Sequence, residues 1–332
     1  MRKLRIAQIG TSLYSHGEGI FKTILRYPEL FEVAGYALPE NEREKFPNQA
    51  ASFAGFPELT VEQILSDPTI DAVFVETEEI YLTKYAQMAA DAGKHIHMEK
   101  PGSQDLAAFE KLIATVKEKE LVFHIGYMYR YNPMVLELMQ QIENGDLGQI
   151  VSVDAQMSGN QESELRQWLP TFQGGQMFYL GCHIIDLAFR ILGQPTEVLP
   201  LNFATGVDGI DGEDFCMAVL RYPRAIATVR TDGIQHGGYL RRELVVTGSQ
   251  KTVELRPIEM RCPGGQFATL TEYDSEEWFD PGRTRTTDRY LRYGTMLQSF
   301  AAMVRGETAN PYTPDYELAL FKLILQCCGV TV

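Results

Sequence analysis

The segment Gly93-Lys94-His95-Ile96-His97-Met98-Glu99-Lys100-Pro101 decides the fold. Gly93 is the glycine expected just past a helix end, residues 95–98 form a short buried strand, and Pro101 forces extended geometry on Lys100. In an open α/β sheet the carboxyl ends of the strands border the ligand crevice, so Lys100 is aimed at a bound molecule. The alternative is an ion pair between Glu99 and Lys100 on a surface turn.

Strands and helices alternate along the first part of the chain. The predicted strands are residues 4–10, 31–38, 71–75, 95–98 and 121–125. A capping box at Thr60 and Gln63 opens one intervening helix, and Ser103 is predicted to cap another that ends near Lys119. This alternation predicts a Rossmann domain with a doubly wound parallel sheet over residues 1–125.

The pattern changes after Gly126, where short links join successive strands. These predicted strands are residues 150–157, 197–205, 214–222, 226–231, 242–247 and 252–256. They predict a second, α+β domain over residues 126–332, built on a large, mostly antiparallel open sheet. A helix over residues 174–192 interrupts it, and two final helices are expected to pack on this sheet or on the first domain.

Composition narrows the class of protein. The 332 residues are 45% hydrophobic and 22% charged, so two domains with large cores are expected. The net charge of −14 and the absence of a basic run exclude nucleic acid and anionic membranes as expected partners.

The five cysteines form no zinc-binding pattern, so we expect neither a metal site nor disulfides. No run of about 18 apolar residues and no signal-type segment is present. A cytoplasmic protein is therefore expected.

The loop after the first strand is a weakened nucleotide-binding motif. Gly10 takes the first glycine position of G-x-G-x-x-G, but Ser12 and Ser15 replace the other two glycines. Glu40 is the candidate acid for the ribose hydroxyls after the second strand. A structural turn at Gly10 and a solvated Glu40 are the alternatives.

A polar row follows the Gly174-Gly175 pair. Tyr179, His183, Asp186 and Arg190 share one face of the predicted helix. Histidine can exchange a proton near neutral pH, so His183 is a candidate acid or base, with a structural histidine as the alternative. Asp186 and Arg190 are predicted to form a structural ion pair.

Three motifs, in order and spacing, resemble the Gfo/Idh/MocA family of oxidoreductases. They are G-K-H-I-H-M-E-K-P at residues 93–101, Y-R-Y-N-P at 129–133 and G-G-Q-M-F-Y-L-G-C-H-I-I-D at 174–186. The resemblance implies a domain that binds NAD or NADP and a second domain that binds a sugar, sugar acid or cyclitol. It also implies a homodimer or homotetramer formed through the second domain's sheet.

The resemblance assigns roles to individual residues. Lys100 and His183 would be catalytic, joined by Tyr179, which stands where the family usually has aspartate. The implied cofactor-binding residues are Gly10, Ser12, Ser15, Glu40, Thr77, Glu99, Lys100 and Pro101. The implied substrate-binding residues are Tyr129, Arg130, Asn132, Trp168 and His183.

The implied reaction is hydride transfer between a carbinol carbon and nicotinamide, with proton exchange at His183 and charge stabilisation by Lys100. Departures from the family keep an alternative open. Glu76, Glu78 and Glu79 would repel a pyrophosphate unless they point away, and Arg43 could favour NADP. The alternative is a non-catalytic, metabolite-sensing or protein-binding member of the same fold.

Overall fold

The computed structural model describes residues 2–332, which divide into two compact units. The first contains the described residues up to Tyr127 together with Tyr293–Leu318, and the second contains Met128–Arg292 with Ala319–Val332. The predicted division after residue 125 lies close to the first of these boundaries. Among the described residues, no helix has both the length and the hydropathy needed to span a bilayer.

A five-stranded parallel sheet forms the core of the first unit. Its order is β2-β1-β3-β4-β5, the doubly wound arrangement that the sequence predicts. The strands are β1 (Leu4–Ile9), β2 (Phe31–Ala37), β3 (Ala72–Val75), β4 (His95–Met98) and β5 (Phe123–Ile125). The helices are α1 (Gly17–Ile24), α2 (Glu42–Lys45), α3 (Pro47–Ala50), α4 (Val61–Ser66), α5 (Glu79–Asp91) and α6 (Leu106–Glu118).

The capping predictions for this unit have mixed outcomes. The Thr60 side chain accepts from Gln63 N and the Gln63 side chain accepts from Thr60 N, which confirms the capping box of α4. The prediction of Ser103 as a cap was wrong. Asp105 caps α6 by accepting from Ala108 N, because α6 begins two residues later than expected.

An eight-stranded sheet forms the core of the second unit, in the order β15-β14-β11-β10-β6-β9-β8-β7. Only the β6–β9 pair is parallel, so the sheet is mostly antiparallel as predicted. The predicted strands are β6 (Ile150–Gln156), β7 (Glu197–Phe203), β8 (Phe215–Arg221), β9 (Ile226–Asp232), β10 (Glu243–Gly248) and β11 (Thr252–Leu255). Four further strands were not predicted: β12 (Met260–Cys262), β13 (Gly265–Phe267), β14 (Thr269–Tyr273) and β15 (Arg283–Thr286).

The remaining helices are α7 (Pro133–Asn144), α8 (Ser163–Trp168), α9 (Cys182–Leu192), α10 (Gly294–Val304) and α11 (Pro314–Cys327). α10 belongs to the first unit, where the Phe300 ring lies edge-on to Phe74 at a centroid distance of 5.4 Å. The boundary between the units passes through α11, between Leu318 and Ala319. α10 therefore packs on the first unit, which is one of the two arrangements expected for it.

Candidate functional site

Lys100 lies immediately beyond β4, at the carboxyl edge of the parallel sheet. Its side chain is only 2% exposed, so the alternative of an ion pair on a surface turn is wrong. Its ammonium Nζ lies 3.9 Å from Glu79 Oε1, at the start of α5. In a parallel sheet, the segments that follow the strands all lie at this same edge. Residues 79 and 100 are therefore close together, although they follow different strands.

Glu99 is held by the loop that precedes α1. Its carboxylate accepts hydrogen bonds from His16 N at 2.8 Å and from Lys100 N at 2.9 Å, and lies 2.9 Å from His16 Nδ1. Burial alone would raise the pKa of Glu99, but the charge and hydrogen bonds of His16 lower it to about 2. Glu99 is therefore ionised at neutral pH and ties the first loop to β4, a role for His16 that the sequence did not indicate.

The other carboxyl groups of this edge do not form the anionic cluster that the sequence suggested. Burial, together with the nearby Glu99, raises the pKa of Glu76 well above its usual value, so Glu76 holds its proton. Burial raises the pKa of Glu79 to about 7, against the lowering effect of Lys100. Glu78 pairs with Lys45 at 2.8 Å. Repulsion of a pyrophosphate is thus much weaker than the formal charges imply.

Two glycines, Gly10 after β1 and Gly17 at the start of α1, leave no room for a Cβ unless a neighbouring atom shifts. Gly10 has φ +90°, and a Cβ there would lie 2.3 Å from Thr77 Cγ2. At Gly17 a Cβ would lie 2.8 Å from Glu76 Cβ. The first and last glycines of a dinucleotide loop provide the tight turn and the close packing of helix on strand, and Gly10 and Gly17 do both here. The loop therefore fits a dinucleotide although it is longer than the usual motif.

The two serines of this loop stabilise its backbone. Ser12 Oγ accepts from Tyr14 N at 3.0 Å, and Ser15 Oγ donates to Glu76 O at 3.2 Å and accepts from Gly17 N. Their assignment to the cofactor stays a prediction, as does that of Thr77, Glu99 and Pro101.

Glu40, the acid predicted to bind the ribose hydroxyls, is engaged by side chains of α5, and its assignment to the cofactor stays a prediction. Its carboxylate accepts from Lys84 Nζ at 2.6 Å and from Tyr85 Oη at 2.8 Å, both on α5. Glu42, two residues later, is fully buried and accepts from Thr11 N at 3.2 Å. The acid beside the first glycine loop is therefore Glu42, which the sequence pattern did not single out.

In the second unit, His183 occupies the first turn of α9 and is 1% exposed. A turn of π-helix over Met177–Gly181 precedes α9. Such turns occur frequently at functional sites. Half-buried Tyr179 lies in this turn, and its ring meets the Trp168 ring edge-on at 5.5 Å.

Tyr129 packs against the candidate histidine. Its ring lies edge-on to the His183 imidazole, at a centroid distance of 5.2 Å and an angle of 87°. The Tyr129 hydroxyl donates to Glu259 Oε1 at 2.8 Å and accepts from Arg242 Nη1 at 3.2 Å. Since this network fixes the phenol, Tyr129 orients His183 through its ring, and its hydroxyl is committed to protein partners.

Arg130 and Asn132, both predicted to contact the substrate, make hydrogen bonds within the second unit. The Arg130 guanidinium forms a bidentate pair with Asp186, with the closest atoms 2.7 Å apart. Asn132 caps α7 through Oδ1 and donates through Nδ2 to Ile258 O. The structure shows Arg130 as a partner of Asp186 that the sequence did not predict, and the predicted pairing of Asp186 with Arg190 stays a prediction. The assignment of Arg130 and Asn132 to the substrate stays a prediction.

Removing Arg130 is expected to destabilise the fold strongly. Arg130→Met leaves the Asp186 carboxylate buried without its guanidinium partner, which typically costs about 3–5 kcal/mol. Urea denaturation followed by circular dichroism measures the loss in the free energy of unfolding. Lys117→Met is the control, because it breaks the exposed pair with Asp315 and should cost less than about 1 kcal/mol. Similar losses in both variants would show that the Arg130–Asp186 pair does not hold the fold.

Two family models match the chain and together account for most of it. Residues 4–127 match the model of the oxidoreductase family with an NAD-binding Rossmann fold, and residues 135–254 match the GFO/IDH/MocA C-terminal domain. The first match identifies the cofactor class as a nicotinamide dinucleotide, NAD or NADP.

Individual relatives are distant. An uncharacterized oxidoreductase of Schizosaccharomyces pombe is 26% identical over 220 residues, which cover 62% of this chain and 58% of the relative. A D-xylose 1-dehydrogenase (NADP(+)) of Hypocrea jecorina is 28% identical over 179 residues, covering 48% of this chain and 44% of that protein. The matched region thus spans only about half the length of these curated relatives.

Among solved structures, the aldose-aldose oxidoreductase of Caulobacter crescentus, complexed with glycerol, superposes with a TM-score of 0.79. Its sequence is 20% identical, and the alignment covers 99% of this chain and 98% of that one, so this likeness concerns the fold. The two family models and the shared fold give one conclusion: the chain belongs to the Gfo/Idh/MocA family of oxidoreductases.

Proposed function

We propose that the protein transfers a hydride between a nicotinamide cofactor and a carbinol carbon of a sugar, sugar acid or cyclitol. The observation that carries this proposal is the placement of Lys100 at the carboxyl edge of an NAD-binding Rossmann sheet, buried and 3.9 Å from Glu79. A buried ammonium at a ligand-binding edge is suited to stabilising negative charge that develops on an oxygen.

Different residues of the chain have different roles in the proposed reaction. When bound, the nicotinamide accepts or supplies the hydride. Lys100 stabilises the oxygen of the reacting carbon as it gains negative charge, and His183 takes the hydroxyl proton in oxidation or returns it in reduction. Tyr129 holds the imidazole in position through the edge-on ring contact.

Two further aromatic residues provide a surface for the substrate. The rings of Trp168 and Tyr179 are half-buried and lie edge-on to each other. Aromatic faces combined with a few polar groups are typical of small-molecule sites. Tyr179 also carries a hydroxyl that can exchange a proton with the substrate. The D-xylose dehydrogenase among the relatives and the aldose-aldose oxidoreductase among the solved structures support a sugar or polyol as the substrate class.

The test is calorimetric titration with NADH and, separately, NADPH, after any co-purified nucleotide has been removed. We expect a Kd in the micromolar range or below for at least one of them. Polyols and aldoses are then screened for a change in absorbance at the nicotinamide band. Failure to bind either nucleotide would contradict the proposal and favour the non-catalytic, metabolite-sensing alternative.

We also propose that the chain forms a homodimer or homotetramer through its eight-stranded sheet. Leu199, Leu201 and Phe203 of β7 share one face and are 53%, 46% and 52% exposed. The register places Leu199 opposite Val219 and Leu201 opposite Met217 on β8, so the apolar face is continuous. Contiguous apolar patches of this kind commonly mark protein interfaces.

Charging this face is expected to dissociate the oligomer. Leu199→Lys would bury an unpaired ammonium in the interface, so light scattering coupled to gel filtration should report a smaller mass than for the unmodified protein. Leu240→Lys is a matched control, because Leu240 is also 53% exposed but lies outside the sheet. An unmodified protein that is already monomeric would contradict the proposal, as would an oligomer unaffected by the Leu199 substitution.

A further inference from the structure

A cluster of arginine, tyrosine and glutamate side chains lies next to the candidate histidine in the second unit. Its acid is Glu259, which is 1% exposed and accepts from Arg292 Nε at 3.0 Å and from Arg292 Nη2. The hydroxyls of Tyr129 and Tyr239 donate to Glu259 Oε1 at 2.8 and 3.2 Å. Arg242 joins the cluster by donating from Nη1 to the Tyr129 hydroxyl at 3.2 Å. One buried carboxylate and two guanidinium groups therefore lie close together.

The carboxylate of this cluster is already occupied. Burial alone would raise the pKa of Glu259, but Arg292 and, to a smaller extent, Arg242 lower it, so Glu259 is ionised at neutral pH. Burial raises the pKa values of Tyr129 and Tyr239, so both phenols are uncharged. Since Arg292 contacts both oxygens of Glu259, the second guanidinium group is left without an acid of its own.

Arg242 makes its hydrogen bonds to uncharged acceptors. Its Nε donates to Ser158 O at 3.3 Å and its Nη1 to the Tyr129 hydroxyl. Among residues 2–332, it forms no ion pair with a carboxylate and no hydrogen bond through Nη2. Arg130, by contrast, is 1% exposed and paired with Asp186. Arg242 is only half-buried, so part of its guanidinium group is accessible to a ligand.

The guanidinium group of Arg242 is held in a fixed position. Its Cζ lies over the Tyr239 ring, 4.4 Å from the centroid, in a cation–π contact. Tyr239 belongs to a short 3₁₀ turn over Gly238–Arg241, which Arg242 joins to β10. This turn packs closely on the chain after β6, because a Cβ at Gly238 would lie 2.8 Å from Gly159 N. A fixed, planar guanidinium group is well suited to binding a carboxylate.

One tyrosine side chain separates Arg242 from the candidate catalytic histidine. The ring of Tyr129 lies edge-on to His183 at a centroid distance of 5.2 Å, and its hydroxyl accepts from Arg242. A sugar acid carries its carboxylate a few carbon atoms from its carbinol carbons. A single molecule of this class can therefore place a carbinol at His183 and its carboxylate at Arg242. A neutral sugar or a cyclitol has no charged group to offer this arginine.

We propose that Arg242 binds a carboxylate of the substrate, and that the substrate is therefore a sugar acid in preference to a neutral sugar or a cyclitol. This inference rests on the proposed function, since it presumes that the reacting carbon lies at His183. A hydrogen bond to a charged group stabilises a complex more than one between neutral groups. The carboxylate thus supplies the binding energy that distinguishes the substrate classes, in a chain whose net charge of −14 would otherwise disfavour an anion.

The test measures the binding of matched ligand pairs by calorimetry, which needs no turnover. D-gluconate is compared with D-glucitol, D-glucuronate with D-glucose, and D-galacturonate with D-galactose. Each is titrated into the full-length chain saturated with the nicotinamide nucleotide that it binds. The members of a pair differ only by a carboxylate in place of a hydroxymethyl group. In at least one pair, we expect the acid to bind about 10- to 100-fold more tightly than its neutral partner.

Substitutions of two neighbouring arginines assign this preference to a residue. Arg242→Gln should weaken binding of the acid and leave that of the neutral partner within about threefold, so that the preference largely disappears. Arg241→Gln is the matched control, because Arg241 is exposed and the same change in net charge there should leave the preference intact. Arg242→Lys keeps the charge without the planar fork and should retain part of the preference.

A kinetic measurement separates substrate binding from a purely structural role. For an acid that is turned over, the loss in Arg242→Gln should appear mainly as a raised KM. If Arg242 served only to hold Tyr129 against His183, the substitution would instead lower kcat, and it would do so for acids and neutral ligands alike.

The outcomes separate this inference from the proposed function. Failure to bind either nucleotide would overturn the proposed function itself. With nucleotide bound, failure of all three acids to bind, or equally tight binding of their neutral partners, would overturn the sugar-acid assignment and leave the proposed function standing. These comparisons use the unmodified protein, so they hold even if a variant fails to fold. A preference kept in a folded Arg242→Gln variant but lost in Arg241→Gln would overturn the role of Arg242.

Discussion

Replacing His183 by asparagine is expected to lower the rate of hydride transfer by a factor of about 10² to 10⁴. Asparagine keeps polar atoms near the imidazole nitrogens, but it cannot take or return a proton near neutral pH. His183 lies in the first turn of α9, 1% exposed and packed against Tyr129. The measurement is single-turnover absorbance at the nicotinamide band, with a polyol or aldose that the unmodified protein turns over.

The affinity for the nucleotide should be unchanged in His183→Asn, which separates a chemical role from a binding role. The control is His236→Asn, which removes a histidine of the same unit that lies in the loop after β9. Its rate should stay within about threefold of the unmodified protein. Undiminished turnover by a folded His183→Asn variant would remove His183 from the proposed mechanism.

Replacing Lys100 by methionine is expected to lower turnover by a factor of about 10² to 10³ while the chain stays folded. Methionine preserves the length of the side chain but removes the ammonium that would stabilise charge on the substrate oxygen. The fold should tolerate this change for a specific reason. Lys100 lowers the pKa of Glu79, which is about 7, so without Lys100 the buried Glu79 carboxyl becomes neutral at pH 7.

The same strand offers a matched control at its other end. Lys94 precedes β4, is 5% exposed, and donates from Nζ to the carbonyl groups of Asp67 at 2.5 Å and Ile70 at 3.0 Å. Lys94→Met should therefore lose about 1–3 kcal/mol of unfolding free energy and keep its turnover per folded molecule. Comparable losses of turnover in both variants would mean that the buried lysines at the two ends of β4 serve the fold, and that Lys100 has no special chemical role.

The strands of the first unit and their parallel, doubly wound arrangement could be predicted because the signals for them are local. A buried apolar strand, a glycine stop and a capping residue each depend on a few neighbouring positions, as the capping box of α4 illustrates. The four strands between residues 260 and 286 were missed for the opposite reason. They have only three to five residues each, and no clear alternation marks them. Pairing with β11 places β14 and then β15 on the large sheet, whereas β12 and β13 pair only with each other, in a separate two-stranded sheet.

The residues of the candidate site also differ in how well the sequence predicted their surroundings. The motif at residues 93–101 predicted that Lys100 would lie at the edge of the sheet, and the structure places it there, fully buried. The assignment of Glu40 relied on its position after the second strand, and those of Arg130 and Asn132 on the family resemblance. Each of these side chains has a protein partner that neither argument could reveal. Long-range contacts, such as that between Arg130 and Asp186, decide which polar side chains remain for a ligand.

The sequence by itself determined the family, the parallel sheet and the position of Lys100, because hydrophobic periodicity and short motifs are encoded along the chain. Only the tertiary structure decided the charge and orientation of the acids. Burial raises the pKa values of Glu42 and Glu76, and the contact with His16 keeps Glu99 ionised. The pKa of a carboxyl group depends on how far it is buried and on the charges and hydrogen-bond donors around it. Those surroundings are formed by residues that are far apart in sequence, so the sequence pattern alone does not reveal them.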